Sequence, residues 1–118
     1  MRLTSALCAG VLLLAPASPA AAHSLLLDSS PAPSATVPPP SRLALRFNNR
    51  IEKALSRLRL VDARGAARLL TVLAGAGKVD HLEATLPPLA PGVWRVEWQV
   101  LSTDGHVVRG SFSFRVAP

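Results

Sequence analysis

Three residues far apart in the chain have the types to do chemistry together: His23, Asp104 and His106. His23 directly follows Ala20-Ala21-Ala22, a small-residue stretch of the kind signal peptidases cut. Cleavage after Ala22 makes His23 the first residue of the processed protein. An N-terminal histidine offers two nitrogens, the α-amine and an imidazole nitrogen, which together close a chelate ring on a metal. An internal histidine cannot do this, because its backbone nitrogen is held in an amide. In Asp104-Gly105-His106, residues two apart project to the same side of an extended backbone, and Gly105 permits a bend. Turn chemistry alone accounts for Asp104 and Gly105 but not for His106. Three nitrogens from the two histidines and one carboxylate oxygen, without sulfur, suit tetragonal Cu(II), which also tops the divalent affinity order for such ligands. Zinc can take the same atoms in a tetrahedron. The amine, with an ordinary pKa of about 7.7–8.0, must lose its proton to bind, so acid weakens the site.

The segment ahead of His23 reads as a secretory signal over residues 1–22, with Met1-Arg2 as the charged region and an apolar run from Leu7 to Ala15. That run is too short to span a bilayer, and no later stretch of about twenty apolar residues exists, so the processed chain is expected to be exported and not inserted in the membrane. It would run from His23 to Pro118, 96 residues, enough for one domain with a single core. The single cysteine, Cys8, and the single methionine, Met1, are lost with the signal. Cys8 does not sit as a lipoprotein acceptor would, since most of the apolar run follows it. The processed chain therefore lacks both the disulfide and the soft ligands that select Cu(I).

Positions that must be placed by the fold lie on strands. Leu43, Leu45 and Phe47 alternate with Arg42, Ala44 and Arg46. Leu58-Leu60, Leu82-Ala84-Leu86, Trp94-Val96-Trp98-Val100 and Phe112-Phe114-Val116 repeat that period of two. Turn residues separate these runs. The proline-rich residues 31–41 read as an extended connector between a first and a second strand. Residues 66–76, rich in Leu and Ala, are compatible with a short helix. Some seven short strands in under 100 residues predict an all-β sandwich.

Other features have plainer readings. His81, at the start of a strand, reads as a solvated surface residue and is left out of the site. The two tryptophans alternate with charged residues and read as core, not as a stacking platform. Net charge is +6, or +5 without Arg2, and comes mostly from single arginines spaced among apolar residues. That pattern reads as a solvated basic sheet face, and nucleic acid is not an expected partner.

The start HSLLLDSSPA (His23, Leu26, Ser29, Pro31, Ala32), the segment PSRLALRFNN and nearly all of residues 86–116 resemble the CopC family of periplasmic copper-binding, copper-resistance proteins. The resemblance implies a seven-stranded Greek-key β-sandwich or barrel, Ig-like and cupredoxin-like, spanning residues 23–118. It implies a monomer holding Cu(II) through His23, Asp104 and His106, with a CopD-type inner-membrane copper transporter as a partner. Some family members carry a Met-rich Cu(I) site, but the corresponding residues 62–73 contain no Met or His here. Asn49 stands where an acidic residue is common in the family, and Val107 where a proline is usual. The implied role is binding, for sequestration, resistance or delivery, with no enzymatic activity. Copper on an N-terminal histidine also resembles the lytic polysaccharide monooxygenases, a competing redox-enzyme reading. A metal-free interaction module, using the basic strands and the proline-rich connector, is a third.

Overall fold

The computed structural model describes Gly10 and residues 24–118; the proposed signal segment, apart from Gly10, and His23 lie outside the described residues. Eight strands pack as two sheets. β1 (Leu26–Ser30), β3 (Arg42–Phe47) and β6 (His81–Thr85) form a three-stranded sheet in the order β1-β3-β6. β2 (Thr36–Val37), β4 (Arg57–Val61), β5 (Ala67–Leu70), β7 (Gly92–Leu101) and β8 (Val107–Val116) form a five-stranded sheet in the order β2-β8-β7-β4-β5. The sheets do not close on each other, so the architecture is a sandwich and not a barrel.

Each long strand buries one face because its apolar residues recur every second position. Leu43, Leu45 and Phe47 of β3 are fully buried, as are Leu82 and Ala84 of β6, and they meet Leu58, Val96, Val100 and Phe114 from the other sheet. Removing this apolar surface from water is the main stabilising force, at about 25 cal/mol per Å². Trp98 belongs to the core. Its ring stands edge-on to Phe47, with centroids 5.3 Å apart. It lies across Gly110, its register partner on β8, where a Cβ would sit 2.2 Å from Trp98 Cζ2. Trp94 is half-buried against the core, and its indole N–H donates to the Ala90 carbonyl at 2.9 Å.

Two expectations differ in detail. The proline-rich connector contributes the eighth strand. Between its prolines, Thr36 and Val37 run parallel to the end of β8, and Arg115 and Ala117 donate N–H bonds to Ala35 and Val37 at 2.8 Å. Residues 66–76 are not helical: β5 pairs antiparallel with β4, from Leu58↔Leu70 to Val61↔Ala67. Backbone pairing and burial of Leu70 override the helix propensity of Leu and Ala.

The outer faces carry ion pairs. Arg46 Nε and Nη2 both donate to Asp28 Oδ2, His81 Nδ1 lies 2.6 Å from Asp80 Oδ1, and Arg59 donates to Glu97 at 2.7 Å. These hydrogen bonds, from Arg46, His81 and Arg59 respectively, hold the Asp28, Asp80 and Glu97 carboxyls below their ordinary values. A carboxyl depressed in the folded state stabilises it at pH values above its unfolded pKa and loses that contribution as pH falls through the folded one. The melting temperature is therefore expected to fall as pH drops below about 4.5, with no contribution from these three groups to any change between about pH 6 and 7. A calorimetric pH series that stays flat down to about pH 2 would contradict this.

Candidate metal centre

β7 and β8 run antiparallel over their full lengths, from Gly92↔Val116 to Leu101↔Val107, and residues 102–106 turn the chain between them. Ser102 N–H donates to the His106 carbonyl at 2.9 Å, and Gly105 N–H donates to the Ser102 carbonyl at 2.9 Å. Gly105 has φ +84°, a left-handed conformation that glycine adopts without steric cost. Within this turn Asp104 Oδ1 accepts the backbone N–H of His106 at 3.0 Å, and Oδ2 lies 2.9 Å from His106 Nδ1. The structure thus brings Asp104 and His106 together. It does so through an aspartate-capped turn and not through the alternation of an extended strand. Two-thirds of the His106 side-chain surface is exposed (66%), against 20% for Asp104, so the pair sits at the protein surface with the carboxylate on its inner side.

The start of the described chain reaches this same turn. Ser24 N–H donates to Ser102 Oγ at 3.0 Å, and Ser102 Oγ donates to Ser24 Oγ at 2.8 Å. Both serines are buried, at 0% and 1% exposure, so neither bond competes with bulk water. One residue later, Leu25 N–H donates to Asn48 Oδ1 at 2.7 Å, and Asn48 N–H returns a bond to the Leu25 carbonyl at 3.0 Å. From the far side, Ile51 bridges to Ser102, and Glu52 N–H donates to the Leu101 carbonyl at 3.0 Å. Ser102 is therefore clamped between the first residue of the fold and the segment after β3. Sequence reading took Asn48-Asn49 only as a turn and passed over Ser24 and Ser102, because isolated serines next to strands carry no motif.

Among the described residues no three His, Cys, Asp or Glu side chains gather into a metal-sized group. Asp104 and His106 are two members of the expected set, and the third, His23, lies outside the described residues. His81 lies on the outward face of its strand and in no metal-sized group among the described residues, though it is only partly exposed. It is the first residue of β6, pairs in register with Arg46, keeps 26% of its side-chain surface and contacts Asp80. Residues 62–73, which span the Asp62 turn and β5, bring no soft donor.

A two-sheet sandwich with a His–Asp pair on the β7–β8 turn, beside the start of its first strand, belongs to a recognisable class of small β proteins. The CopC domain family matches residues 26–117, and the chain belongs to that family. It is 34% identical over 102 residues to copper resistance protein C of Xanthomonas campestris pv. juglandis, covering 80% of each chain. It superimposes on the crystal structure of CopC from Methylosinus trichosporium OB3b with a TM-score of 0.74 and 36% identity, covering 81% of this chain and 95% of that one. PcoC, a methionine-rich copper resistance protein from Escherichia coli, shares the fold with a TM-score of 0.68 at 24% identity, covering 80% of this chain and 99% of that one.

Proposed function

We propose that this chain is a periplasmic Cu(II)-binding protein of copper resistance, which holds one cupric ion for sequestration or delivery. The ligands are the His23 amine and imidazole, a His106 imidazole nitrogen and an Asp104 carboxylate oxygen. The observation that carries this reading is the pair of buried hydrogen bonds locking Ser24 onto Ser102. These bonds hold the backbone at Ser24 against the base of the turn bearing Asp104 and His106, and consecutive Cα atoms lie only about 3.8 Å apart. His106 Nδ1 and Asp104 Oδ2 lie 2.9 Å apart, so one cupric ion can take both in place of the contact between them.

Membership of a family whose relatives are named copper resistance proteins supports copper as the cargo. The donor set supports the cupric state: nitrogen and oxygen suit Cu(II), and Met1 is the only methionine in the chain. A methionine Cu(I) site has no residues to build it from once residues 1–22 are removed. Export through that leader, and hand-over to a CopD-type inner-membrane transporter, complete the reading. In the described residues no helix is long and apolar enough to cross a membrane. A binding role fits better than glycan oxidation, because the broadest exposed sheet face carries arginines where a glycan oxidase would present aromatic rings.

Cu(II) electron paramagnetic resonance on the protein beginning at His23 tests the site. The expected spectrum is tetragonal with nitrogen hyperfine structure. His106→Ala should remove one nitrogen from that pattern and weaken Cu(II) binding at least about tenfold. Binding and spectrum that are unchanged in His106→Ala would overturn the assignment.

A further inference from the structure

The charge of this protein is concentrated on one sheet. The strands of the five-stranded sheet contain six arginines and a single carboxylate, Glu97, whereas those of the three-stranded sheet contain Arg42 and Arg46 against Asp28 and Glu83. Five of the six arginines, Arg57, Arg59, Arg95, Arg109 and Arg115, are exposed at alternate positions opposite the buried ones and so share the outer face. Register places them in rows: Arg109 beside Gln99 beside Arg57, then Ser111 beside Glu97 beside Arg59. Glu97 is already bracketed by Arg59 at 2.7 Å and Arg95 at 3.8 Å, so it leaves most of the positive charge uncompensated. A merely solvated face would intersperse both signs. This one instead mixes a single sign with exposed aliphatic side chains: Leu69 (63% exposed) beside Arg59, and Val93 and Val107 on β7 and β8.

We infer that the outer face of the five-stranded sheet docks the protein on a bilayer surface rich in anionic phospholipid headgroups. Five strands at about 4.8 Å spacing make a broad, gently twisted platform, which suits a two-dimensional array of phosphates better than a single small anion. Guanidinium groups pair with phosphate oxygens in bidentate fashion, while their methylene stems and the exposed Leu and Val side chains can rest at the headgroup level. The contact is peripheral and electrostatic, so salt should weaken it. Arg109 stands three positions from His106 on the same hairpin, so docking would hold the Asp104–His106 turn at the rim of the contact.

Vesicle co-sedimentation tests this with the protein beginning at His23, which contains all eight strands, in the presence of a chelator so that copper plays no part. The probes are vesicles of phosphatidylglycerol mixed with phosphatidylcholine, and of phosphatidylcholine alone. Only the mixed vesicles should bind. Each basic residue at a membrane surface contributes about a fivefold change in partitioning, so Arg57→Gln/Arg59→Gln/Arg109→Gln should lower it about a hundredfold. Arg42→Gln/Arg64→Gln/Lys78→Gln removes the same charge from exposed positions off this face and should lower it less than about fivefold. Ser111→Glu/Ser113→Glu places carboxylates among the arginines without removing any and should reproduce the loss if the triple variant folds poorly. Equal losses in the two charge-matched variants would overturn the inference, because net charge alone would then explain binding. So would an absence of vesicle binding, including the case where the face captures polyglutamate, an acidic protein mimic, instead.

Discussion

A chain bearing one additional residue ahead of His23 is expected to bind Cu(II) about a thousandfold more weakly than the chain that begins at His23, a difference of about 4 kcal/mol. The α-amine and the imidazole of an N-terminal histidine belong to one residue, so the second contact forms inside an already held ring and costs little further entropy. Extension turns the amine into an amide, whose lone pair is delocalised into the carbonyl and which must lose a proton before it can bind. The chelate ring made by the amine and imidazole of one residue is lost, and the copper keeps the groups on residues 104–106 and an imidazole. Nothing in the fold is touched, because the first described hydrogen bond starts at Ser24 N–H. Competition titration against a chelator of known affinity reads the difference, and melting temperatures should be indistinguishable between the two chains. Equal affinities would remove the amine from the proposed coordination sphere.

The sandwich was legible in the sequence because burial on one face leaves a signature of period two. Leu43-Leu45-Phe47 and Phe112-Phe114-Val116 are buried as their alternation requires. Where the signature fades, so does the reading. Thr36-Val37 is too short to alternate, and its strand exists through backbone bonds to β8, which side-chain patterns do not record. Ala66 to Leu70 has local preferences that favour a helix, yet the unpaired edge of β4 recruits it as a strand. The same division runs through the candidate site. Asp104 and His106 could be picked out because their side-chain chemistry is distinctive and a glycine sits between them. Ser24, Asn48 and Ser102 could not. Their importance comes from long-range pairing, 78 residues apart in the case of Ser24 and Ser102, and a hydroxyl that will be buried looks the same in sequence as one that will face water.

That hidden pair carries the second large effect. Ser102→Ala removes an oxygen that both accepts the Ser24 N–H and donates to the Ser24 hydroxyl, in a place where both residues are almost fully excluded from solvent. The Ser24 N–H and Oγ would be left buried without these partners. Each such loss costs about 1–3 kcal/mol, so unfolding in urea should show a loss of about 2–6 kcal/mol. Copper affinity should fall about ten- to a hundredfold, as is usual when a group that orients a ligand is removed, because Ser24 would no longer be anchored at the turn. Ser24→Ala separates the two roles. It discards the hydroxyl pair but keeps the bond from the backbone N–H of residue 24 to Ser102 Oγ, so it should cost about 1 kcal/mol and leave Cu(II) affinity within about threefold. If Ser102→Ala lost stability yet bound copper as tightly as the unaltered protein, the clamp would serve the fold alone. The convergence of Ser24 with the β7–β8 turn would then no longer support a shared metal site.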